Sequence, residues 1–336
     1  MGQKVLIGLF CNNLDPVPFY NGCEVMPIEI MKFTEKGINW KNKRIKGIIL
    51  RNGHWVEAEM RFPDVVYNRC YTSSVKMTRR LEKVIGKGKV FNAFTLFDKH
   101  LIFHILSKSS LKDFIIPTFS YSPKTLLALL KKEGKALIKP AKGSMASHVY
   151  KIASEEGKFK VYLHTSLSPK CFDKPESLIR YLAEVMKRRK FIIQPFIEFF
   201  KVNGHMFDMR LLVQKNGKGL WDVTADISRV CYKESFVSNI VYALKTVKDA
   251  LVGTGYEDTL LPRMKKIAIV AAKILDKNLY SLGEISVDFG IGADGRLWII
   301  EMNGKPYKLV YQEISSDAFQ KVFRMPMEYA LYLAGK

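Results

Sequence analysis

The sequence of 336 residues lacks any apolar run near the roughly 18 residues that a membrane-spanning helix needs, so we expect no membrane span. Its start has only a short apolar run, residues 5–11, without the basic segment and small-residue cleavage site of a secretory signal. Leu6 stands where a myristoylation motif requires Ser or Thr. These absences favour a cytoplasmic protein whose first apolar run is a buried strand.

Cysteine is scarce and is not patterned for cross-linking or for metal binding. The five cysteines are odd in number and widely spaced, and no C-x-x-C pair occurs. We therefore expect neither a disulfide framework nor a zinc knuckle. Free thiols in a reducing cytosol are consistent with this pattern.

Acidic residues are also few, because 32 Asp and Glu oppose 54 Lys and Arg, which gives a net charge of +22. This balance attracts polyanions: nucleic acid, an anionic membrane surface or an acidic substrate. The sequence contains no recognisable DNA- or RNA-binding motif, so specific nucleic-acid binding is not expected. A small molecule or an acidic peptide is the partner that the charge favours, and the composition does not define an oligomeric state.

The chain does contain an alternation of strand-like and helix-like segments, without internal repeats or low-complexity stretches. Hydrophobic residues at 48% and aromatic residues at 12% suit a folded globular protein. The mixed order predicts an α/β or α+β fold rather than a single doubly wound sheet. The predicted strands are 4–10, 45–50, 55–60, 63–69, 136–139, 158–164, 191–194, 209–215, 219–226, 285–290 and 297–302. The predicted helices are 74–85, 98–107, 126–133, 175–189, 258–276 and 318–334.

Three oxygen-bearing side chains belong to the last predicted hairpin. Asp288 lies in its first strand, and Glu301 and Asn303 lie at the end of its second strand, beyond the Asp294-Gly295 turn. Alternate residues of a strand share a face, so Glu301 and Asn303 project together and Asp288 can face them across the ladder. Because Mg²⁺ prefers oxygen ligands, this is a candidate site for Mg²⁺, or for Mn²⁺. A solvated hairpin with scattered acids is the alternative.

This segment resembles the final metal-binding segment of the ATP-grasp superfamily, in which an acid is followed thirteen residues later by a second acid and then, two residues on, by Asn. The resemblance implies that Glu301 bridges two Mg²⁺ and that Asp288 and Asn303 hold one each. Residues 63–69 (PDVVYNR) and 303–306 (NGKP) resemble the beginning and the ending of the YheC/YheD-like, endospore coat-associated ATP-grasp family.

The resemblance also implies a nucleotide site on three earlier segments. Lys99 opens a predicted helix and Lys139 ends a strand before Pro140, and both would reach phosphates as mobile point charges. Gly143 and Ser144 belong to a loop whose amides would cover the phosphates. Only Gly143 keeps the glycine character of that loop, which predicts a stiffer lid than in relatives.

The third segment, residues 191–198 (FIIQPFIE), resembles the hinge that holds adenine. The resemblance implies that the backbone of Phe196 and Ile197 bonds the edge of the base, and that Gln194 or Glu198 lies close to adenine or ribose. Considered alone, these segments also have ordinary interpretations as solvated lysines at strand ends and as a core strand.

Two arginines and one lysine are candidates for the reacting end. Residues 207–211 (FDMRL) resemble the Asp-x-Arg strand of many ATP-grasp ligases, which implies that Arg210 faces the γ-phosphate or the acyl-phosphate. Arg229 ends the partner strand, and Lys305 follows Asn303 by two residues. Arginine offers a planar bidentate fork, and phosphoryl transfer needs such donors as negative charge develops. A surface cross-strand pair is the alternative for each arginine.

The resemblance spans nearly the whole chain and implies an ATP-grasp fold with an N-terminal α/β pre-grasp domain over residues 1–97. The ATP-grasp domain over 98–336 would have a lid subdomain at about 111–200 and a metal-binding subdomain at about 201–336.

The same resemblance implies a ligase that uses ATP to convert a carboxylate into an acyl-phosphate, then couples it to an amine or hydroxyl. An amino acid or a peptide is the expected substrate, and specificity is expected on the pre-grasp face, near Arg69 and Tyr71. The glycine-poor lid loop favours an alternative, a nucleotide-binding structural protein associated with the spore coat.

Overall fold

The chain builds three β-sheets in succession in the computed structural model, which describes residues 4–72, 74–143, 147–187 and 189–335. The strands of the first sheet are β1 (Val5–Phe10), β2 (Ile28–Asn39), β3 (Arg44–Arg51), β4 (His54–Arg61), β5 (Val65–Asn68) and β6 (Val90–Phe91). They lie in the order β4-β3-β2-β1-β5-β6, with β1 parallel to both of its neighbours. β1 is buried almost throughout, as a continuous apolar sequence predicts for a parallel strand covered on both faces. Helix α1 (Lys76–Ile85) follows β5.

The strand predicted at residues 4–10 and the hairpin predicted around Asn52-Gly53 are confirmed. Asn52 and Gly53 have φ values of 51° and 79°, as a two-residue hairpin turn with left-handed central residues requires. β2, the longest strand of this sheet, is not predicted from the sequence. Lys32 interrupts its apolar pattern, although the side chain is buried and its Nζ donates to Asn13 Oδ1 at 3.2 Å.

The second sheet is antiparallel throughout and follows helix α2 (Lys99–Ser107). Its strands are β7 (Phe119–Ser120), β8 (Lys135–Pro140), β9 (Tyr150–Glu155), β10 (Lys158–Leu163), β11 (Lys170–Phe172) and β12 (Phe191–Pro195). They lie in the order β11-β10-β9-β8-β12-β7.

Two helices supply apolar residues to the core of the second sheet: α3 (Pro123–Glu133) and α4 (Pro175–Val185). Helix α3 begins where the Ser122 hydroxyl accepts a hydrogen bond from the Thr125 amide, and it ends at Gly134, whose φ of 70° permits the left-handed cap. The helix predicted over 175–189 is confirmed as α4 but ends earlier, at Val185.

The third sheet carries most of the candidate site and is also antiparallel. Its strands are β13 (Lys201–Val202), β14 (His205–Lys215), β15 (Trp221–Cys231), β16 (Val241–Lys245), β17 (Glu284–Ile291) and β18 (Leu297–Asn303). The order is β16-β15-β14-β17-β18, and β13 pairs with β14. Helices α5 (Val247–Leu251) and α6 (Leu260–Asn278) pack on the sheet, and α7 (Ser316–Ala334) closes the described chain. Short 3₁₀ helices occupy Pro18–Cys23, Lys112–Phe114 and Leu309–Glu313.

A shared core joins the first sheet to the third. Helix α7 contributes Val322 and Met327 to it, β1 contributes Leu9, and β14 contributes Leu212. A buried polar cluster crosses the same boundary, because the carboxylate of Glu284, in β17, accepts a hydrogen bond from Arg69, just after β5, at 2.6 Å. The third sheet is therefore held against the first by both apolar and charged contacts. Across the residues that the structure describes, no helix is long and apolar enough to cross a membrane.

Candidate nucleotide and metal site

A cavity of about 530 Å³ lies between the second and third sheets. On one side it is lined by residues of β8 and β12, and on the other by residues of β14, β15, β17 and β18. Residues that follow β5 and β18, including Tyr71 and Lys305, form another part of its wall. The cavity therefore receives side chains from segments that are far apart in sequence.

The register of the β17–β18 hairpin brings the three predicted metal ligands to this cavity. Asp288 pairs directly with Glu301, and Asn303 lies two residues further along β18, so it shares the face of Glu301. All three side chains line the cavity. A bulge between Asp288 and Phe289 shifts the register of the rest of the hairpin without separating the pair.

The chemistry of this donor set fits Mg²⁺. It consists of two carboxylates and one amide, and Mg²⁺ is commonly held by one or two carboxylates together with phosphate oxygens of the substrate. Within the described ranges, no group of three or more His, Cys, Asp or Glu side chains could hold a metal by itself. A metal at this cavity would therefore depend on Asn303 and on the nucleotide for its remaining ligands.

Two arginines, on the neighbouring strands β14 and β15, donate hydrogen bonds to Asp288. Arg210 faces Asp288 across the β14–β17 ladder and donates from Nε and Nη2 to its two carboxylate oxygens, each at 2.7 Å. Arg229 also donates to Asp288, at 2.9 Å, and its Nε donates to Asp208 Oδ1 at 2.8 Å. Although burial opposes ionisation, the two arginines lower the pKa of Asp288 below its ordinary value. Two guanidinium forks are thus fixed at the face of the cavity that carries the predicted metal ligands.

Lys99 and Lys139 line the same cavity. Lys99 is the first residue of α2, and its Nζ lies 3.0 Å from Glu301 Oε1 and donates to the Gly143 carbonyl at 2.9 Å. Lys139, on β8, is buried at 7% exposure. Burial lowers the pKa of Lys139 to about 8, although the nearby Glu301 opposes the shift. A desolvated ammonium of this kind is well suited to a phosphate.

The predicted adenine hinge is only partly at the cavity. Gln194, Phe196 and Ile197 line it. The Gln194 Nε2 donates to Thr118 Oγ1 at 2.7 Å, while its buried Oε1 has no partner among the described residues. The structure does not bring Glu198 into the cavity wall: its carboxylate is 55% exposed and pairs with Lys135 Nζ at 2.9 Å.

Of the two residues predicted for the lid loop, only one has a described position. Gly143 lines the cavity with φ of 141°, a conformation that favours glycine. Ser144 lies outside the described residues.

Tyr71 and Lys305 form another part of the cavity wall. Lys305 is half-buried, and its Nζ lies 5.8 Å from the centroid of the Tyr71 ring. Burial, and then the nearby Arg69, lower the pKa of Lys305. Arg69, expected from the sequence to take part in specificity, does not line the cavity. It donates to Glu284 and to the Pro306 carbonyl instead, the latter at 3.3 Å.

Several residues of the wall were not predicted from the sequence. Phe236 packs edge-on against Phe196, with ring centroids 6.1 Å apart, and adds an aromatic surface near the predicted hinge. It belongs to the loop before β16, a short, half-exposed strand that the sequence does not predict. The missed wall residues also include Thr95, Phe97, Val237, Ser238, Asn239 and Tyr307.

This architecture is an ATP-grasp fold. The similar solved structures include the ATP-grasp ligase PsnB complexed with minimal precursor, Mg and ADP, at a TM-score of 0.54 and 12% identity, with 98% of each chain covered. The sequence profile of the YheC/D-like ATP-grasp family matches residues 87–333, and the chain belongs to that family. The predicted fold and family are thereby confirmed.

Curated relatives extend the similarity over most of the chain. The endospore coat-associated protein YheD of Bacillus subtilis (strain 168) is 27% identical over 318 residues, which cover 89% of this chain and 69% of YheD. The endospore coat-associated protein YheC of the same organism is 24% identical over 327 residues, which cover 91% of this chain and 88% of YheC.

Proposed function

We propose that this protein is an ATP-dependent ligase that converts a carboxylate into an acyl-phosphate and couples it to an amine or a hydroxyl, with release of ADP and phosphate. The observation that carries the proposal is the convergence of Asp288, Glu301 and Asn303 with the two arginine forks and two lysines in one cavity. This is the complement of groups that phosphoryl transfer needs: metal ligands, phosphate cations and bidentate donors.

Nucleotide binding is proposed at the end of the cavity that faces the second sheet. Lys99 and Lys139 contact the phosphates, and Gly143, with Ser144 beyond it, covers them from the lid loop. Gln194 and the backbone of Phe196 and Ile197 hold the base. The unpartnered Oε1 of Gln194 supports this assignment, since an amino group of the base would satisfy it. Glu198, which lies outside the cavity wall, is not assigned a contact with the nucleotide.

Asp288, Glu301 and Asn303 would hold Mg²⁺, with Mn²⁺ as an alternative. When bound, the metal supplies neutralisation of charge on the transferring phosphoryl group. Asp288 is already compensated by Arg210 and Arg229, and Glu301 by Lys99, so metal binding would redistribute these ion pairs rather than fill an uncompensated acidic site.

Arg210 and Arg229 are proposed as the catalytic cations. The N–H groups that are not engaged by Asp208 and Asp288 bond the phosphoryl oxygens that gain charge as the acyl-phosphate forms, and the ion pairs keep both arginines oriented before the substrate arrives. The buried carboxylate of Asp208 accepts two hydrogen bonds from Arg229 and so fixes its orientation. Lys305, the third cation predicted at the reacting end, lies on the side of the cavity next to Tyr71.

An amino acid or a peptide is the proposed substrate class. The similar ligase PsnB is complexed with a minimal precursor, and an acidic peptide agrees with the net charge of +22 of the present chain.

We place the division between the pre-grasp and ATP-grasp domains at residues 97–98. The sheet ranges support this division, because the strands of the first sheet end at Phe91 and those of the second begin at Phe119.

A nucleotide-binding structural protein is the second candidate. The glycine-poor sequence of the lid loop and the names of the two curated relatives favour it, and it would place the protein at the spore rather than free in the cytoplasm. This candidate requires nucleotide binding without sustained ADP release.

The test is an ADP-release screen with Mg²⁺, ATP and a panel of amino acids and acidic peptides. The proposal predicts release that depends on one acceptor class and is lost in Glu301→Ala. Glu313→Ala, which removes an exposed carboxylate outside the cavity, is the control and should keep the activity. Release that survives Glu301→Ala would contradict the ligase assignment. Tight nucleotide binding without any acceptor-dependent release would favour the structural protein.

A further inference from the structure

The lining of the cavity has more positive charge than a metal-bound nucleotide requires. Among the residues that the structure describes, five cationic side chains line it against two carboxylates, and these are Lys99, Lys139, Arg210, Arg229 and Lys305 against Asp288 and Glu301. Bound Mg²⁺ cancels much of the charge of ATP, so the nucleotide alone does not balance this excess. The remaining positive potential in a concave, partly desolvated site favours a second anionic ligand.

Lys305 is the cation of this set to which the proposed function assigns no contact with the phosphates. The arginines are held by Asp288, and Lys99 is paired with Glu301. Among the described residues, Lys305 has no carboxylate partner, and its Nζ lies over the Tyr71 ring. Burial, and after it the charge of Arg69 on the side of the first sheet, lower the pKa of Lys305.

The segment that carries Lys305 is held firmly in place. The Arg69 guanidinium donates to the Pro306 carbonyl at 3.3 Å. Lys308 is buried, and its Nζ lies 2.7 Å from Glu284 Oε2 and donates to the Tyr67 hydroxyl at 2.9 Å. Anchors on both sides of Tyr307 therefore fix the backbone from which Lys305 reaches the cavity. The fixed backbone limits where the ammonium can reach, and an ammonium beside an aromatic ring, without a carboxylate partner among the described residues, is available to an anion.

We infer that Lys305, with Tyr71 beside it, binds a second, non-reacting carboxylate of the substrate, so that the substrate class is a molecule with at least two carboxylates, such as a peptide that ends in an acidic amino acid. The inference rests on the proposed function for the position of the reacting carboxylate near the two arginine forks. Lys305 then contributes to specificity: it distinguishes an acidic side chain from its neutral amide, because the amide would leave the half-buried ammonium unpaired.

The first test measures the acetylation rate of individual lysines by peptide mass spectrometry. N-acetyl-L-glutamate is the probe, and N-acetyl-L-glutamine, which has one carboxylate fewer, is its neutral counterpart. Both are used at equal ionic strength with Mg²⁺ and a nonhydrolysable ATP analogue. We expect the glutamate probe to slow labelling of Lys305 by at least about threefold, the value for a site about two-thirds occupied. Labelling of the exposed Lys245, which lies outside the cavity wall, should not change.

The second test compares calorimetric binding of the two probes in three variants. Lys305→Met should remove the preference for the glutamate probe, Lys305→Arg should retain it because the charge is kept, and the control Lys245→Met should leave it unaltered. Equal protection of Lys305 by both probes, no protection by either, or an unchanged preference in Lys305→Met would overturn the inference.

Nucleotide binding is measured separately so that the two proposals can fail independently. Binding of the ATP analogue without any effect of the probe at Lys305 would remove the inference and leave the proposed ligase function intact. Protection of Lys305 in a protein that binds no nucleotide would support the anion site and contradict the ligase.

Discussion

Replacing Glu284 with Gln should destabilise the protein strongly, although Glu284 lies outside the cavity. Its side chain is fully buried and accepts hydrogen bonds from Arg69 at 2.6 Å and from Gln214 at 2.8 Å, while Lys308 Nζ lies 2.7 Å from its second oxygen. Glutamine keeps the shape but removes the one negative charge that the buried Lys308 and the partly buried Arg69 share. Removing one partner of a buried ion pair costs about 3–5 kcal/mol, because the remaining charge is left uncompensated.

The pKa of Glu284 supports the same magnitude. Burial opposes its ionisation, but Lys308 and Arg69 lower the pKa from 4.5 to about 2. A depression of this size corresponds to about 3 kcal/mol. Because the folded-state pKa is the lower one, this stabilisation is complete above the ordinary pKa and is lost as the pH falls from about 4.5 towards 2. Burial lowers the pKa of Lys308 to about 8, so loss of its proton in the variant would relieve part of the cost.

The assay is chemical denaturation of the whole chain at pH 7 and at several values between pH 5 and pH 3. Glu284→Gln should lower the free energy of unfolding by about 3 kcal/mol or more at pH 7, and its stability should fall less steeply with acid than that of the wild type. Glu313→Gln, at an exposed site, is the matched control and should leave both curves unchanged. A cost of less than about 1 kcal/mol for Glu284→Gln, or parallel acid curves, would refute the reasoning.

Two further predictions concern the cavity. Lys139→Met should weaken binding of the ATP analogue by at least about tenfold, yet raise the free energy of unfolding at pH 7 by about 1–3 kcal/mol, because it removes a buried ammonium. Since the pKa of Lys139 is about 8 in the folded protein, this gain in stability should shrink as the pH rises from 8 towards 10.5. A destabilised Lys139→Met variant with normal nucleotide affinity would contradict this prediction. Arg210→Lys should lower acceptor-dependent ADP release by at least about tenfold with little change in nucleotide affinity, because lysine cannot form the bidentate pair. Equal losses in binding and release would instead assign Arg210 to ground-state nucleotide binding.

The central strands and the carboxylate hairpin could be predicted from sequence because their signals are local. The Asp294-Gly295 turn defines the hairpin, and the two-residue period of a strand then aligns Asp288 with Glu301 and Asn303. The fold and family followed from motif spacing rather than from hydrophobic periodicity. The resemblance of residues 207–211 led to the expectation that Arg210 lies at the reacting end, with Arg229 on the partner strand, and both contact Asp288 in the structure.

The parts that sequence reasoning did not predict depend on contacts between distant segments. β2 was missed because Lys32 is a buried lysine, whose partner Asn13 cannot be identified from local pattern. Glu198 was expected near the nucleotide, but pairing with Lys135 takes its carboxylate out of the cavity wall. The cluster joins Arg69 to Glu284 and Lys308, which lie more than two hundred positions further along the chain, and no sequence period reveals such a cluster.

The measurement that tests the central claim most directly is isothermal titration of the folded protein with a nonhydrolysable ATP analogue in the presence of Mg²⁺, beside the double variant Glu301→Ala/Asn303→Ala. We predict one binding site per chain in the wild type, lost on chelation of the metal and lost or weakened at least about tenfold in the variant. Absence of binding by the folded wild type, or binding that neither chelation nor the variant alters, would contradict a metal-dependent nucleotide site at this cavity.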